Sequence, residues 1–336
     1  MTNKFRWGLI GPGTIARKFA TAVKDMEDAE LYAVASRSDE RAKAFAAEFG
    51  VEKAYGNYED MLSDPLVEAV YVSTTNPYHY ACIKQCLLAD KPVLCEKPLA
   101  LNVNQATELL ELARKRDLFI MEGMWTRCLP IHAQVSEWIV QGKIGDVRAI
   151  HADFCFDMRA KLGCRQLDIH QGGGALLDAG VYNLMLAIKY FGDAPKRVLS
   201  VPDYYKTGVD LTETIMLEYS DARTAVLTSS VGLNVPNDAY IYGTKGYIHL
   251  PMYWCGKTAT LHQYGASVFA PTASEQADRA FASTGFQFEI AEAMRCIRAG
   301  ETESPLIPRN DTLAAQRIMT ELRKEWGIRF PGNMYE

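Results

Sequence analysis

Three polar residues have the types and settings that acid–base chemistry needs. Residues 91–97 read KPVLCEK, an apolar strand that runs into Glu96 and Lys97, with Pro98 next. Proline fixes its own φ and lacks an N–H, so the loop at Lys97 is stiff. Glu96 either holds the lysine or caps the loop. Further on, GGGALLDAGVYN at 172–183 opens a helix. Asp178 and Tyr182 stand four apart on it and share one helical face. That face carries an acid and a phenol toward any cleft, and the glycines admit a close backbone approach to a ligand. The same spacing also suits a core tyrosine with an aspartate capping the helix start. Spacing alone leaves both readings open.

A second group points to a nucleotide. GPGTIA at 11–16 fits G-x-G-x-x-A, follows a strand and opens a helix, which is the context that gives the pattern its meaning. Gly11 allows the tight turn, Gly13 lets a pyrophosphate approach the backbone, and Ala16 permits close helix–strand packing. Thr14 and Ile15 open the helix whose N-terminus supplies donors. The next strand ends VASRS at 34–38. An NAD site usually has an acid there for the ribose 2′-hydroxyl. Ser36 and Arg37 suit a 2′-phosphate instead, through charge-assisted forked bonds. NADP is expected as the cofactor, in preference to NAD. Thr74 and Asn76 lie at a later strand end and are expected to line the dinucleotide, as are Glu96 and Lys97.

The elements that must carry these residues change character along the chain. Strands are predicted at Phe5–Ile10, Glu30–Ala35, Glu68–Ser73, Pro92–Cys95 and Leu118–Met121. Helices at Gly13–Lys24, Asp39–Phe49, Tyr78–Ala89 and Asn104–Lys115 separate them. Strand–helix–strand order without hairpin turns means crossover connections and a parallel sheet. After residue 124 come helices near 131–141 and 174–190 and the strand Val147–Phe156. Strands follow near 198–205, 211–219, 224–231 and 239–242, and then Gly243-Thr244-Lys245-Gly246 turns into Tyr247–Leu250. Helices near 286–298 and 312–326 close the chain. The expected fold class is an α/β Rossmann-type doubly wound parallel sheet over 1–124. An α+β domain with a largely antiparallel open sheet follows over 125–336. The cleft is expected between them.

Composition limits the partners. The formal charge of −5 over 336 residues offers no basic footprint for nucleic acid. No apolar run approaches ~18 residues, so no membrane span is expected. The eight cysteines form no C-x-x-C pair, and free thiols in a reducing cytoplasm are the simplest reading. Cys82 and Cys86 lie one helical turn apart without a second ligand pair, so no metal is expected.

Taken in order, these pieces resemble the Gfo/Idh/MocA oxidoreductase family over nearly the whole chain. The carriers are GPGTIA at 11–16, TTNPYHY at 74–80, EKP at 96–98, GGGALLDAGVY at 172–182, GTKGYI at 243–248 and FQFEIAEAMRCIRAG at 286–300. MEGMWTR at 121–127, with a tyrosine at 182, is most similar to the dihydrodiol dehydrogenase and NADP-linked D-xylose dehydrogenase branch. Inositol dehydrogenases of the family have histidine at the position of Tyr182, which argues against carrying over their substrate. The resemblance implies Lys97 and Tyr182 as the catalytic pair with Asp178 beside them, and His79 near the cofactor. Elementary chemistry agrees. A phenol titrates near ~10, and lowering it by about three units requires about 4 kcal/mol. An ammonium ~4 Å away at an effective dielectric of ~20 supplies roughly that. Tyr182 is therefore expected as the acid–base group, with Lys97 stabilising its phenolate and Asp178 orienting the substrate or the lysine.

Other residues complete the expected substrate site. Trp125 offers an indole face to a sugar or cyclic diol, or else packs between domains, and Arg127 offers donors to hydroxyls. Arg165, in a loop before the glycine run, is a further substrate candidate. The expected function is an NADP-dependent dehydrogenase of a sugar or cyclic diol hydroxyl. A keto-sugar reductase on the same site and a non-catalytic NADP-binding regulator are the alternatives. The resemblance also implies a homo-oligomer, formed as a dimer through the open face of the antiparallel sheet.

Overall fold

The computed structural model describes residues 4–161, 163–265 and 269–331. The chain forms two compact units. The first runs to Trp125 and also takes in Ala282–Arg309; the second comprises Thr126–Phe281 and the chain from Asn310. The late helix predicted near 286–298 therefore belongs with the nucleotide-type unit, although its place in the sequence is within 125–336.

In the first unit the strands are β1 (Phe5–Ile10), β2 (Ala29–Ala35), β3 (Lys53–Tyr55), β4 (Ala69–Val72), β5 (Val93–Glu96) and β6 (Ile120–Gly123). They form one parallel sheet in the order β3-β2-β1-β4-β5-β6. Strand order reverses between β1 and β4, and ligands of such sheets bind outside the carboxyl ends at that point. Strands β4, β5 and β6 are buried along their whole length, as expected of a sheet covered on both faces. The helices are α1 (Thr14–Lys24), α2 (Asp39–Phe49), α3 (Tyr58–Leu62), α4 (His79–Leu88) and α5 (Val103–Lys115). Helix α1 buries Ala16, Phe19, Ala20 and Val23, the i, i+3, i+4, i+7 face. Helix α2 starts where Ser38 Oγ accepts from Arg41 N–H and stops at Gly50 in the left-handed region.

The second unit begins with α6 (Pro130–Val140) and β7 (Val147–Cys155). A π-turn at Leu176–Gly180 then leads into α7 (Val181–Phe191). Seven strands follow: β8 (Arg197–Tyr204), β9 (Asp210–Glu218), β10 (Thr224–Ser230), β11 (Ala239–Gly243), β12 (Gly246–Leu250), β13 (Thr258–Tyr264) and β14 (Pro271–Asp278). Helix α8 (Gln287–Arg298) returns the chain to the first unit, and α9 (Arg309–Glu325) follows it. The eight strands form one sheet, β14-β13-β12-β11-β7-β10-β9-β8, antiparallel except for the β7–β10 pair. The predicted hairpin joins β11 to β12, with Tyr242 opposite Tyr247. Helix α7 packs against β7 and β10, the π-turn against β7, β9 and β10, and α6 against β13 and β14; Ala239, Ile241, Ile248 and Leu250 are buried on one face. The other face carries Tyr240, Tyr242, Tyr247, His249 and His262 in a half-buried row.

Candidate active site

Each unit carries one group of the candidate residues. In the first, the backbone leaves β1 through Gly11 at φ +89°, a conformation that favours glycine. A Cβ there would stand 2.9 Å from Thr74 N and 3.0 Å from Ser73 C at the end of β4. The Ser73 hydroxyl donates to the Gly11 carbonyl at 3.0 Å, which ties the turn to that strand end. A Cβ on Gly13 would meet nothing nearer than Gly11 O, 3.9 Å away. No side chain caps α1, and its first turn, which begins with Thr14 and Ile15, holds no acid. Donors and a positive dipole end therefore face an open cradle, and this fits a dinucleotide pyrophosphate.

The end of β2 has no acid for a ribose hydroxyl. Ser36 is buried, and its Oγ accepts from Ser38 N–H at 3.2 Å. Arg37 is exposed and lies over the Tyr78 ring, 4.7 Å from its centroid. The two acids that follow are engaged elsewhere: Asp39 with Lys43 at 2.6 Å, and Glu40 with the Ser38 hydroxyl at 3.0 Å.

Lys97 directly follows β5, is half-buried, and is joined to Pro98 by a cis peptide. Buried groups hold its surroundings. Glu96 Oε1 accepts from the Tyr71 hydroxyl at 2.6 Å, and Glu122 Oε1 accepts from Leu99 N–H at 2.8 Å. His79 is fully buried, with Nδ1 2.8 Å from Pro98 O and Nε2 3.0 Å from Thr74 O. Its ring thus links the loop after β5 to the loop after β4. Asn76 is buried at the start of the same turn. Glu289 of α8 is a buried carboxyl with neither oxygen hydrogen-bonded. Burial, and then the charge of Glu96, hold it well above the usual carboxylate range.

In the second unit the glycine run shapes a loop against the start of the π-turn. Gly173 N–H donates to Asp168 O at 3.0 Å and Gly174 N–H to Gln166 O at 2.9 Å. A Cβ on Gly173 would lie 2.6 Å from the carbonyl oxygens of Arg165 and Gln166. The loop so folded brings Arg165 Nη2 to 2.7 Å from Asp178 Oδ1. Asp178 lies within the π-turn and Tyr182 in the first turn of α7; they are 6% and 7% exposed. The Tyr182 ring meets Phe154 of β7 edge-on at 5.1 Å, and Phe154 stacks on Trp254 at 4.6 Å. Next to Tyr182, Asn183 donates to Thr228 O and Ser229 Oγ, both at 3.0 Å, and accepts from the Tyr253 hydroxyl at 2.6 Å. These bonds pin α7 to β10.

Two expected substrate contacts are committed elsewhere. Arg127 is 5% exposed, with Nη1 2.5 Å from Asp311 Oδ2 and Nη2 donating to Met185 O at 2.6 Å. A guanidinium so enclosed helps to hold the second unit together. Trp125 is buried with its ring 5.2 Å from that of Phe286, at the start of α8. Its indole face thus packs within the first unit. Arg165, by contrast, meets Asp178 directly, a pairing that sequence reasoning did not draw. Phe154, Trp254 and Glu289 were also missed. Phe154 and Trp254 stand in no motif that the sequence offered, and Glu289 lies within FQFEIAEAMRCIRAG, whose likeness to the family did not single out its carboxyl.

A glycine cradle at a parallel-sheet switch point, followed by a unit that carries an acid and a phenol, defines a dinucleotide-dependent oxidoreductase. Residues 5–124 match the model of the GFO/IDH/MocA oxidoreductase family with NAD-binding Rossmann fold, and residues 132–249 match the GFO/IDH/MocA C-terminal domain. Trans-1,2-dihydrobenzene-1,2-diol dehydrogenase of Mus musculus is 35% identical over 329 residues, which is 97% of this chain and 98% of the relative. That of Homo sapiens is 35% identical over 332 residues, 97% and 98% of the two chains. A solved 3-ketoreductase from Actinomadura kijaniata, in complex with NADP and TDP-benzene, is 28% identical with a TM-score of 0.84, covering 96% of this chain and 98% of that one. An aldose-aldose oxidoreductase from Caulobacter crescentus, 22% identical over 96% of this chain and 97% of that one, shares the fold with a TM-score of 0.83. The chain belongs to the Gfo/Idh/MocA oxidoreductase family, and it is an NAD(P)-dependent dehydrogenase acting on CH–OH groups.

Proposed function

We propose that this protein oxidises a hydroxyl of a cyclic diol or sugar with NADP. The observation that carries the reading is the pairing of a buried phenol, Tyr182, with an Arg165-held carboxylate, Asp178, on one π-to-α junction. The aromatic wall of Phe154 and Trp254 beside the phenol suits the flat C–H face of a ring substrate. NADP, when bound, supplies the nicotinamide that takes the hydride from the carbinol carbon. Gly11, Gly13, Thr14 and Ile15 hold its pyrophosphate, while Ser36 and Arg37 take the 2′-phosphate. Thr74, Asn76, His79 and Glu96 order the strand ends beside it.

The chain's own chemistry is a proton transfer. Tyr182 accepts the proton of the substrate hydroxyl as the carbonyl forms, and gives it back in the reverse direction. The Lys97 ammonium stabilises the phenolate and the oxygen on which charge develops. The Asp178 carboxylate accepts a neighbouring hydroxyl of the substrate, and Arg165 keeps that carboxylate in place. A second reading, reduction of a keto-sugar by the same groups, is favoured by the 28% likeness to an NADP-bound 3-ketoreductase.

The protein acts in a reducing compartment, as its eight free cysteines suggest, and we assign it to the cytoplasm. It forms a homodimer through the aromatic face of the eight-stranded sheet. The deciding experiment is an initial-rate screen of trans-diols, polyols and aldoses with NADP and NAD, together with keto-sugars and NADPH. Turnover of a diol or sugar with NADP is expected. Nucleotide binding without turnover across the panel would favour a non-catalytic regulator and overturn the proposal.

A further inference from the structure

Two carboxyl groups lie beneath the segment that carries Asp178 and Tyr182, and the reaction as described does not use them. Asp210 and Glu213, both on β9, are each 0% exposed. Three residues apart, they would point to opposite faces of a regular strand. The β8–β9 register, however, passes from Asp203 opposite Thr212 to Tyr204 opposite Asp210, which leaves Leu211 as a bulge residue. The bulge restores Asp210 to the face of Glu213. Both then reach the π-turn. Asp210 Oδ2 accepts from Leu176 N–H at 2.6 Å. A Cβ on Gly174 would fall on Asp210 Oδ1, and a Cβ on Gly180 would stand 2.8 Å from Glu213 Oε1. These two glycines of the motif are therefore required because the backbone rests directly on the carboxyl groups.

The hydrogen-bond accounting leaves a gap. Among the described residues, neither oxygen of Glu213, nor Oδ1 of Asp210, has a donor at full hydrogen-bond geometry, and the Ser229 hydroxyl and the Asp210 backbone N–H reach the pair only weakly. Two ionised carboxylates in a dry site repel each other strongly, and one of them takes up a proton. The charged or titratable groups facing the pair are Arg323 of α9, which acts on Asp210, and the Cys155 thiol of β7, which senses Glu213. Ser229 of β10 lies directly opposite Glu213 in the ladder. One cation can balance one carboxylate. Burial, and then the charge of Asp210, push Glu213 well above the ordinary carboxylate range, against a smaller opposing effect of the Ser229 hydroxyl. Asp210 also rises through burial, opposed by its Leu176 bond, by Arg323 and by its contact with Glu213.

We propose that Glu213 is protonated at neutral pH and donates its hydrogen to Asp210, and that this acid pair holds the π-turn that sets Asp178 and Tyr182 for proton transfer. The last clause rests on the function proposed above. Asp210 and Glu213 are positioning residues: they grip the backbone of the motif and touch no substrate.

Three measurements on the full chain test the pair. In the infrared difference spectrum of wild type minus Glu213→Gln at neutral pH, a carboxylic-acid carbonyl band is expected from the wild type; its absence overturns the shared proton. In hydrogen exchange, peptides over 174–183 are expected to exchange faster in Glu213→Leu, which lacks a donor. They should stay slow in Glu213→Gln, whose amide keeps one. Should Glu213→Leu not fold, fast exchange in Glu213→Gln overturns the grip and slow exchange supports it. In kinetics, Glu213→Leu is expected to lose about tenfold or more in kcat, with KM within about twofold, and Glu213→Gln to recover most of the loss. Wild-type kcat in Glu213→Leu overturns the positioning role. If wild type turns over nothing in the panel, the proposed function fails on its own, while spectrum and exchange still decide the pair.

Discussion

A phenol is a poor base in water, so the proposed chemistry depends on what surrounds Tyr182 and on the ammonium assigned to it. Tyr182→Phe removes the proton acceptor, and Lys97→Met removes the positive charge while keeping much of the side-chain length. Each substitution is expected to lower kcat about 100-fold or more while NADPH still binds, as read by fluorescence titration. Wild-type-like turnover in either variant would remove that residue from the mechanism. Arg37 is proposed to bear on cofactor choice alone. It is exposed at the end of β2, and its acidic neighbours Asp39 and Glu40 are bonded to Lys43 and Ser38. Losing a charge-assisted bond to a 2′-phosphate costs about 1.5–3 kcal/mol, so Arg37→Ala should weaken NADP binding about 10- to 100-fold. NAD binding should stay within about twofold of wild type, because NAD has no phosphate at that position. Equal loss for both nucleotides, measured by calorimetry, would mean that Arg37 does not read the phosphate.

At the scale of elements, the aromatic wall beside Tyr182 depends on how α6 is anchored. His132 of α6 is buried, with Nε2 2.8 Å from the carbonyl oxygen of Tyr253, next to Trp254. Burial, then the charge of Lys189, push the imidazole down to about 3. The ring is thus neutral and donates through Nε2. Lys189 is itself pushed down to about 8, by burial and then by Arg127. The folded state therefore resists protonating His132, whereas the unfolded chain takes up the proton near the ordinary value of ~6.5. The stability contribution is fully present above that value and is lost as pH falls from about 6.5 toward 3. The loss amounts to about 1.4 kcal/mol per pH unit, and several kcal/mol across the window. His132→Gln keeps an N–H donor and removes the titration. Its thermal midpoint should lie below that of wild type at neutral pH and fall less steeply between pH 6 and 4. A slope equal to that of wild type would place the acid sensitivity in other groups.

At the scale of the whole molecule, the aromatic face of the second unit is the surface proposed to meet a partner copy. Tyr240 stacks on His249 at 4.4 Å and Tyr247 on His262 at 4.4 Å, so the rings present a flat, preorganised wall. Such a face, half apolar and half hydrogen-bonding, suits an isologous contact between two copies of the chain. A dimer is expected by light scattering on a sizing column. Replacing Tyr240 and Tyr247 together with Glu should give a monomer whose NADP affinity is retained, because the nucleotide cradle belongs to the other unit. A double variant that remains a dimer would exclude this face as the interface.

The sequence by itself determined the parallel sheet, the glycine turn and the absence of an acid at the end of β2. Those features are local: an apolar run, a turn residue and a strand end lie next to one another in the chain. It also marked Lys97, Asp178 and Tyr182, because each sits in a short segment with its own spacing. It did not mark β13 and β14. Strand β14 reads PTASEQAD and is almost wholly exposed, so no alternation of buried and polar residues announces it. Nor did it show what holds Arg127 and Trp125. Their partners, Asp311 and Phe286, lie far along the chain, and burial by distant residues leaves no local trace. The acid pair under the π-turn is the clearest case. Asp210 and Glu213 share a face only because Leu211 bulges out of register against β8, and pairing register is decided when strands meet.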